Sequence, residues 1–396
     1  MISRMATFHN YRSVANDMNR QQVRVQENQE QLATGKRLLT AGDDPVSSIY
    51  IQNFDQQNTQ IEQSLKSITL ARNRLDNEET AITEVENLLD EAKRKSMMMV
   101  NGSLSGDDRM AHKQDMQGLY DSFMNLVNTK DESGNFIFAG TQYSKQPFFR
   151  DNNGHVTYVG DSYQRMAKVA PSVDVPMNDA GDKLFMEVSN PYGDYQPDYE
   201  LQSGSLLLLS QATNTNDADP SAYRIEFATT ATGPAYKLFQ NGSEVSSGQF
   251  DPGKGIQWET LQVDLEGEIE DGDVIELSRQ DKINVFDAFQ RSIDLSDSDV
   301  SDASASAELQ QAVAELSEGF KHINRARSEI GTRLQTLDRQ ENMHEDFKIV
   351  MTQARGTLED LDYATAVIEL NENMMALQAS QQAFAKTKDL NLFNYI

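Results

Sequence analysis

Apolar residues recur at every seventh position through two long stretches of the chain, one toward each end. In the first, Phe54, Ile61, Ile68, Leu75, Ile82 and Leu89 share one register, and Leu65, Ala71, Val85 and Ala92 fill between them. This is the seam of a long helix in a coiled coil or bundle, because a solitary amphipathic helix has no reason to hold a strict seven-residue repeat over so many turns. In the second, Leu309, Leu316, Ile323, Ile330, Leu337, His344, Met351 and Leu358 keep the same spacing, supported by Val313, Phe320 and Leu334. Two such faces, so far apart in sequence, predict an antiparallel rod whose middle loops out. Gly331 interrupts the second helix at a cost of about 1 kcal/mol relative to alanine, and close approach of a packed helix is the expected reason for it.

Between the rods the grammar changes. From about residue 135 to 280, turn signals crowd in at Asp151–Gly154, Asn190-Pro191, Asn241-Gly242, Asp251–Gly253 and Asp271-Gly272. Short alternating segments separate them, among them His155–Val159, Tyr223–Phe227 and Asp273–Leu277, which read as hairpins and small sheets. Phe286, Phe289 and Ile293 restart a helical period before an acidic Ser/Asp stretch, Asp294–Asp302. The fold class that follows is α+β: a helical coiled-coil rod built from the N- and C-terminal segments, with β-hairpins and a small outer β domain inserted in the middle. The expected divisions are terminal helices at 1–44 and 355–396, a helical rod with hairpins at 45–195 and 283–354, and the outer β domain at 196–282.

The extreme ends differ again. Tyr11, Met18, Val25 and Leu32 hold the seven-residue register, but the companion positions are Val14, Gln21, Asn28 and Gly35, so half of the stripe is polar. The last segment carries Phe347, Ala354, Leu361, Ile368 and Met375, then Phe384, Leu390, Leu392 and Phe393. Alone, such segments bury too little apolar surface to offset an ordering entropy of about 1–2 kcal/mol per residue. They are expected to be disordered in the monomer and to order only against copies of themselves or against a partner.

Composition narrows the function. The formal net charge of −27 over 396 residues argues against nucleic acid and anionic membranes, whose recognition needs clustered Lys and Arg. The chain has no cysteine, which removes disulfides, thiolate metal sites and cysteine nucleophiles. No apolar run approaches the roughly 18 residues of a membrane helix. The start, Met1–Asn10, lacks the apolar centre of a secretory signal, so targeting rules alone would place the chain in the cytoplasm.

Candidate chemistry changes little. In the stretch Gly35–Val46, "GKRLLTAGDDPV", a phosphate loop would need glycine where Glu30 stands and Ser or Thr where Arg37 stands. The stretch reads instead as a helix boundary: Gly35 and Gly42 end or interrupt one helix, Asp44 caps the next, and Pro45 suits its first position. The five histidines have no zinc spacing, and His344-Glu345 continues without a second histidine. Asp297, Asp299, Ser301 and Glu308 fall at calcium-loop spacing, but Asp302 occupies the place of the obligatory glycine. Asn101–Ser103 and Asn241–Ser243 match a glycosylation sequon and equally a turn. No nucleophile, base and orienting group stand at a catalytic spacing, and no cofactor or metal is implied.

An ordered set of short motifs carries a family resemblance. These are Ala33–Leu38 followed by Asp43–Pro45, Asn101–Arg109, Gly134–Gly140 ("GNFIFAG"), Gly181–Phe185 ("GDKLF"), Glu329–Arg333, Ala376–Phe384 and Asn391–Phe393. Together they resemble the hook–filament junction family, the hook-associated proteins of type 3, within the flagellin superfamily; residues 223–277 resemble, more loosely, an outer module ending in the Gly272-Asp273 hairpin. Thr34–Leu38 and Asp43–Pro45 favour the junction family over flagellin proper. The resemblance implies an extracellular structural protein, exported unfolded through the flagellar apparatus without a cleaved signal. Its partners would be copies of itself in a ring, the hook-side junction protein, flagellin and a flagellar export chaperone. The buried assembly seam is then expected at Tyr11, Met18, Val25, Leu32, Leu361, Ile368, Met375 and Phe384. The chaperone is expected on Leu358, Leu361, Ile368, Met375, Leu377, Phe384, Leu390 and Phe393. The rival readings are a minor flagellin and, from another class, an adhesin or cation-binding surface on the acidic residues Asp251, Asp264, Glu266, Glu268, Glu270, Asp271 and Asp273.

Overall fold

The computed structural model describes residues 2–100, 104–151, 154–216, 218–298 and 302–389, with side chains for all of these except 2–8, 10, 11 and 387–389. Three helices lead: α1 (Ile2–Thr34), α2 (Pro45–Val100) and α3 (Gly106–Val127). Next come β1 (Phe148–Arg150), β2 (Val156–Tyr158), β3 (Met166–Ala170), β4 (Val173–Pro176), α4 (Gly181–Phe185) and β5 (Val188–Ser189). The strands β6 (Tyr195–Glu200), β7 (Leu208–Asn214), β8 (Tyr223–Thr230), β9 (Gly233–Gln240) and β10 (Ser243–Gln249) follow. The β region closes with β11 (Ile256–Trp258), β12 (Leu261–Glu266), β13 (Val274–Arg279) and β14 (Lys282–Ile283). The helices α5 (Val285–Asp294), α6 (Ala303–Glu359) and α7 (Tyr363–Asp389) complete the chain. The α+β plan expected from the sequence is the plan observed.

The chain divides into two compact units, residues 67–340 and residues 1–66 with 341–396. In the larger unit the seven-residue seams do what their spacing predicts. Ile68, Leu75, Ile82 and Leu89 of α2 and Leu309, Leu316, Ile323, Ile330 and Leu337 of α6 are all buried. Gly331 does not owe its place to close packing. A Cβ built there meets nothing within 4 Å, so the expectation of a tight helix approach is corrected.

A cluster of aromatic rings anchors the hairpins to this helical seam. Phe123 of α3 lies 5.6 Å from Phe185 and 5.4 Å from Phe289 of α5, and Phe138 lies 5.3 Å from Phe185. Such offset and edge-to-face pairs add to area burial. The "GNFIFAG" and "GDKLF" motifs meet here, where Gly181 N donates to Phe138 O at 2.9 Å. A Cβ on Gly181 would stand 2.6 Å from the Phe148 ring, so only glycine fits.

The outer β region has an antiparallel five-stranded sheet, β10-β9-β8-β13-β6, and a three-stranded sheet, β11-β12-β7. Ile225 pairs with Ile275 and Leu238, and Tyr199 with Ile275, which puts one apolar face inward. Their shared core includes Leu209, Ala212, Val263 and Leu265, and also Tyr192 before the first of these strands and Ala307 of α6. The module is therefore seated on α6, with Leu201 N donating to Ser304 Oγ at 2.7 Å.

Candidate assembly surfaces

Four helix ends meet in the smaller unit. α1 stops at Thr34 because Gly35 takes φ +70°, and a Cβ there would stand 2.8 Å from Tyr363 Oη. The next residues then pair with the end of α6 in a short antiparallel bridge, Lys36 opposite Asp360. Arg37 N donates to Glu359 O at 2.7 Å, and Leu361 N donates to Gly35 O at 3.0 Å. Arg37 Nη2 donates to Leu358 O at 2.8 Å, and Gln31 Nε2 donates to Arg37 O at 2.8 Å. The last carbonyls of α6 are thus satisfied from the linker after α1. Lys36 pairs with the Glu359 carboxylate, which Arg355 also approaches at 3.4 Å.

The two helices that start here are capped by aspartates. Asp44 Oδ1 accepts from Ser47 N at 3.1 Å ahead of Pro45, the first residue of α2, and Gly42 lies exposed in the preceding turn. Asp362 Oδ1 accepts from Ala364 N at 3.0 Å at the start of α7. Hydrogen bonds from the Ser47 hydroxyl and the Thr365 hydroxyl hold these two carboxyls below the usual range.

Beyond this junction α1 and α7 pack together antiparallel. Met18, Gln21, Val25 and Leu32 of α1 are half-buried, as are Leu370, Leu377 and Phe384 of α7; Asn28 and Ala366 are buried. With its amide oriented by its hydrogen bonds, Asn28 Oδ1 accepts from Asn373 Nδ2 at 3.2 Å. Leu358 and Leu361 are half-buried at the helix break. Ile368 and Met375 lie on a different face of α7, 59% and 62% exposed, in one stripe with Tyr363, Val367 and Met374. The seven-residue count from Ala354 through Leu361 to Ile368 crosses the break between α6 and α7, and the interruption resets which face meets α1. The Tyr11 side chain, Leu390 and Phe393 lie outside the described residues.

This smaller unit has almost no apolar core. Among the described residues, Ala366 is its one hydrophobic residue in the buried class, beside Asn28, Ser47 and His344. Its surface carries Val23, Val46, Ile49, Tyr50, Phe347, Ile349 and Val350 as well as the α7 stripe, all at least 40% exposed. Ion pairs join α2 to α6 in this unit, Arg355 with Asp55 and Lys348 with Glu62, each at 3.0 Å. Exposed pairs of this kind contribute little.

The larger unit has a buried apolar core by contrast, and some of its charges are paired inside it. Arg333 Nη1 and Nη2 each donate to Asp179 at 2.9 Å, and Asp179 N donates to Glu78 Oε1 at 2.8 Å. Burial, with the Asp179 carboxylate beside it, pushes Glu78 well above the usual carboxylate range. Asp273, expected on an acidic surface, is fully buried and accepts from Gln202 N, Ser205 Oγ and Glu270 N at 2.7–2.8 Å. Asp297 of the calcium-like spacing is gripped by Lys113 at 2.7 and 2.8 Å, while Asp299 and Ser301 lie outside the described residues.

Sequence reasoning did not find the Arg37 cap, the Asn28–Asn373 pair or the second face of α7. The first two are pairings across most of the chain and leave no local mark. A signal for the third was present: Asp362 with Thr365 is a helix-start pattern.

Comparison with known proteins places this architecture. The bacterial flagellin N-terminal helical region matches residues 6–143, and the bacterial flagellin C-terminal helical region matches residues 313–396, together more than half of the chain. The chain belongs to the flagellin family, structural proteins whose two ends are helical. Within that family it is similar to flagellar hook-associated protein 3 of Escherichia coli K12, 24% identical over 92% of this chain and 90% of that protein. The fold is similar to the crystal structure of flagellar hook-associated protein 3 from Legionella pneumophila, with TM-score 0.69 and 25% identity, covering 78% of this chain and 98% of that one. The Xanthomonas campestris FlgL crystal structure has the same fold, with TM-score 0.66 and 22% identity over 76% of this chain and 99% of that one.

Proposed function

We propose that this chain is a structural subunit of the bacterial flagellum that forms the junction between the hook and the filament, acting by co-assembly and not by catalysis. The observation that carries the reading is the smaller unit: helices that expose Ile49, Phe347, Ile368 and Met375 while burying hardly any apolar side chain of their own. Apolar surface contributes about 25 cal/mol per Å² when removed from water, so such helices gain most of their stability only when neighbours cover them. We infer the neighbours from the similarity to flagellar hook-associated protein 3. Copies of this chain would form a ring, with the hook-side junction protein on one face and flagellin on the other, through head-to-tail contacts that match two different surfaces.

The chain is exported to the cell exterior unfolded. Before export, a flagellar chaperone covers the segment from about Leu358 to Phe393, taking the α7 stripe into a groove as amphipathic helices are commonly taken.

Deleting the gene and examining the cells by electron microscopy, with immunoblotting of the medium for flagellin, tests the junction. Bare hooks with flagellin shed as monomer are expected. Filaments of normal or merely shortened length would reduce the chain to a dispensable filament subunit.

A further inference from the structure

The seam between α1 and α7 poses a problem of alignment. Val25 and Leu32 stand seven residues apart on α1, and Leu370, Leu377 and Phe384 stand seven apart on α7, all half-buried. Sliding one helix by a heptad therefore returns apolar side chains to apolar neighbours. A seam that, among the described residues, buries no large apolar side chain has little energy with which to reject that slide. Two features are not periodic in this way. In the observed register Asn28 meets Asn373, and Gly35 O accepts from Leu361 N while Arg37 caps Leu358 O and Glu359 O.

We propose that Asn28 with Asn373, and Arg37 with the end of α6, are the register-determining residues of the terminal helix pair, admitting one alignment of α1 on α7 out of a heptad series. The proposal rests on the assembly reading above, since an alignment matters when the outward stripe of α7 must meet a neighbouring copy at a fixed height. In a slide of one heptad that brings Val14 opposite Ser380, the Asn28 amide faces Ala366, keeping its bond to Arg24 O and leaving its oxygen without the Asn373 and Leu370 donors. A buried amide oxygen without a partner costs about 1–3 kcal/mol, and a single polar seam residue specifying register is an established use of this penalty. The same slide parts the Arg37 backbone and guanidinium from the two α6 carbonyls, which α6 has no following turn to satisfy. Tyr363 adds a steric stop, because its hydroxyl occupies the space beside Gly35 that any side chain there would need.

The chain has no cysteine, so introduced pairs report register without background. In the observed alignment Gln21 and Ser380 are one heptad beyond the asparagine pair on each helix. Oxidative cross-linking of the purified full chain, quantified by mass spectrometry, compares Gln21→Cys/Ser380→Cys with Val14→Cys/Ser380→Cys. The first pair should predominate by about tenfold or more, the factor that one or two kcal/mol supplies. Adding Asn28→Ala and Arg37→Ala, which remove the side-chain bonds and keep the backbone ones, should lower that excess about fivefold or more. Equal products in the parent background, or a ratio unmoved by the two alanines, would overturn the proposal. The readout is intramolecular, so it stands or falls separately from the junction role, which filament retention measures.

Discussion

Arg333 of α6 holds Asp179, in the loop before α4, through two parallel hydrogen bonds of 2.9 Å, with both side chains largely buried. This fork–fork geometry couples charge to orientation. It joins the "GDKLF" loop to α6, so the motifs Gly181–Phe185 and Glu329–Arg333 are neighbours in space as well as partners in the resemblance. Arg333→Met should destabilise the larger unit by about 3–5 kcal/mol, because it leaves a buried carboxylate without its partner. Arg333→Lys should lose less, keeping the charge and giving up the fork. Urea unfolding followed by circular dichroism reads both; equal losses for the two variants would contradict the geometric argument.

The same cluster gives stability a pH dependence. Glu78 is fully buried, accepts from Asp179 N through Oε1 with no partner for Oε2 among the described residues, and has its pKa raised by burial first and by the Asp179 carboxylate second, against the opposing pull of Arg333 and Arg165. A raised folded pKa means that the folded state holds the proton more tightly than the unfolded chain does. The contribution is therefore complete below the unfolded value near 4.5 and is lost as pH rises through the folded value. In Glu78→Gln this component should vanish, so the melting temperature of the variant relative to the parent should rise with pH above 5. A constant offset across pH 5–9, in about that range of ordinary buffers, would mean that Glu78 does not titrate there.

Asp273 makes a different prediction from the acidic surface it was expected to join. Its carboxylate accepts from two backbone N–H groups and the Ser205 hydroxyl, closing the Glu270–Asp273 turn onto the loop between β6 and β7. Asp273→Ala should cost about 3–5 kcal/mol, since it leaves buried donors unpaired. Trp258, the single tryptophan, lies in β11 and reports the outer module. An unchanged fluorescence transition in urea would rule out the structural role.

How much of this was legible in the sequence depends on the range of the interaction. The α2 and α6 seams were readable because Ile68, Leu75 and Ile82 each sit in a spacing that repeats locally. Strands β8 and β13 were readable from alternation between turn residues. Glu78 was not, since one more acid in a charged helix reads as solvated until the Asp179 loop covers it. Asp273 failed for the same reason. The count from Leu361 through Ile368 to Met375 starts in a helix break that redirects it, so spacing alone does not tell the face that meets α1 from the outward one. Gly35 and Arg37 act through residues at the far end of the chain, where periodicity carries no information.

Gly331 shows the converse, a residue whose cost has no compensating contact. It lies in the interior of α6, and a Cβ there meets no neighbour within 4 Å. Alanine restricts the unfolded chain and favours the helix, so Gly331→Ala should stabilise by about 0.5–1 kcal/mol. Denaturant midpoints at unchanged slope would register this. Destabilisation would mean that the helix must bend or yield at this point.

The two faces of α7 separate pairing within the chain from contacts with partners. Leu377 is half-buried on the side that meets α1, whereas Ile368 and Met375 are 59% and 62% exposed on the outward stripe. Leu377→Asp should therefore break the α1–α7 pair itself, seen as loss of the Gln21/Ser380 cysteine cross-link. Ile368→Asp with Met375→Asp should leave that cross-link intact, because no buried contact is removed. It should nevertheless abolish chaperone binding and incorporation into flagella, because burying an unpaired carboxylate in a partner's apolar groove carries a desolvation cost of several kcal/mol. Pull-down of the chaperone and immunogold labelling of flagella measure the two outcomes. Normal binding and incorporation by the double variant would show that the outward stripe is a solvated surface and that partners use another face of the terminal helices.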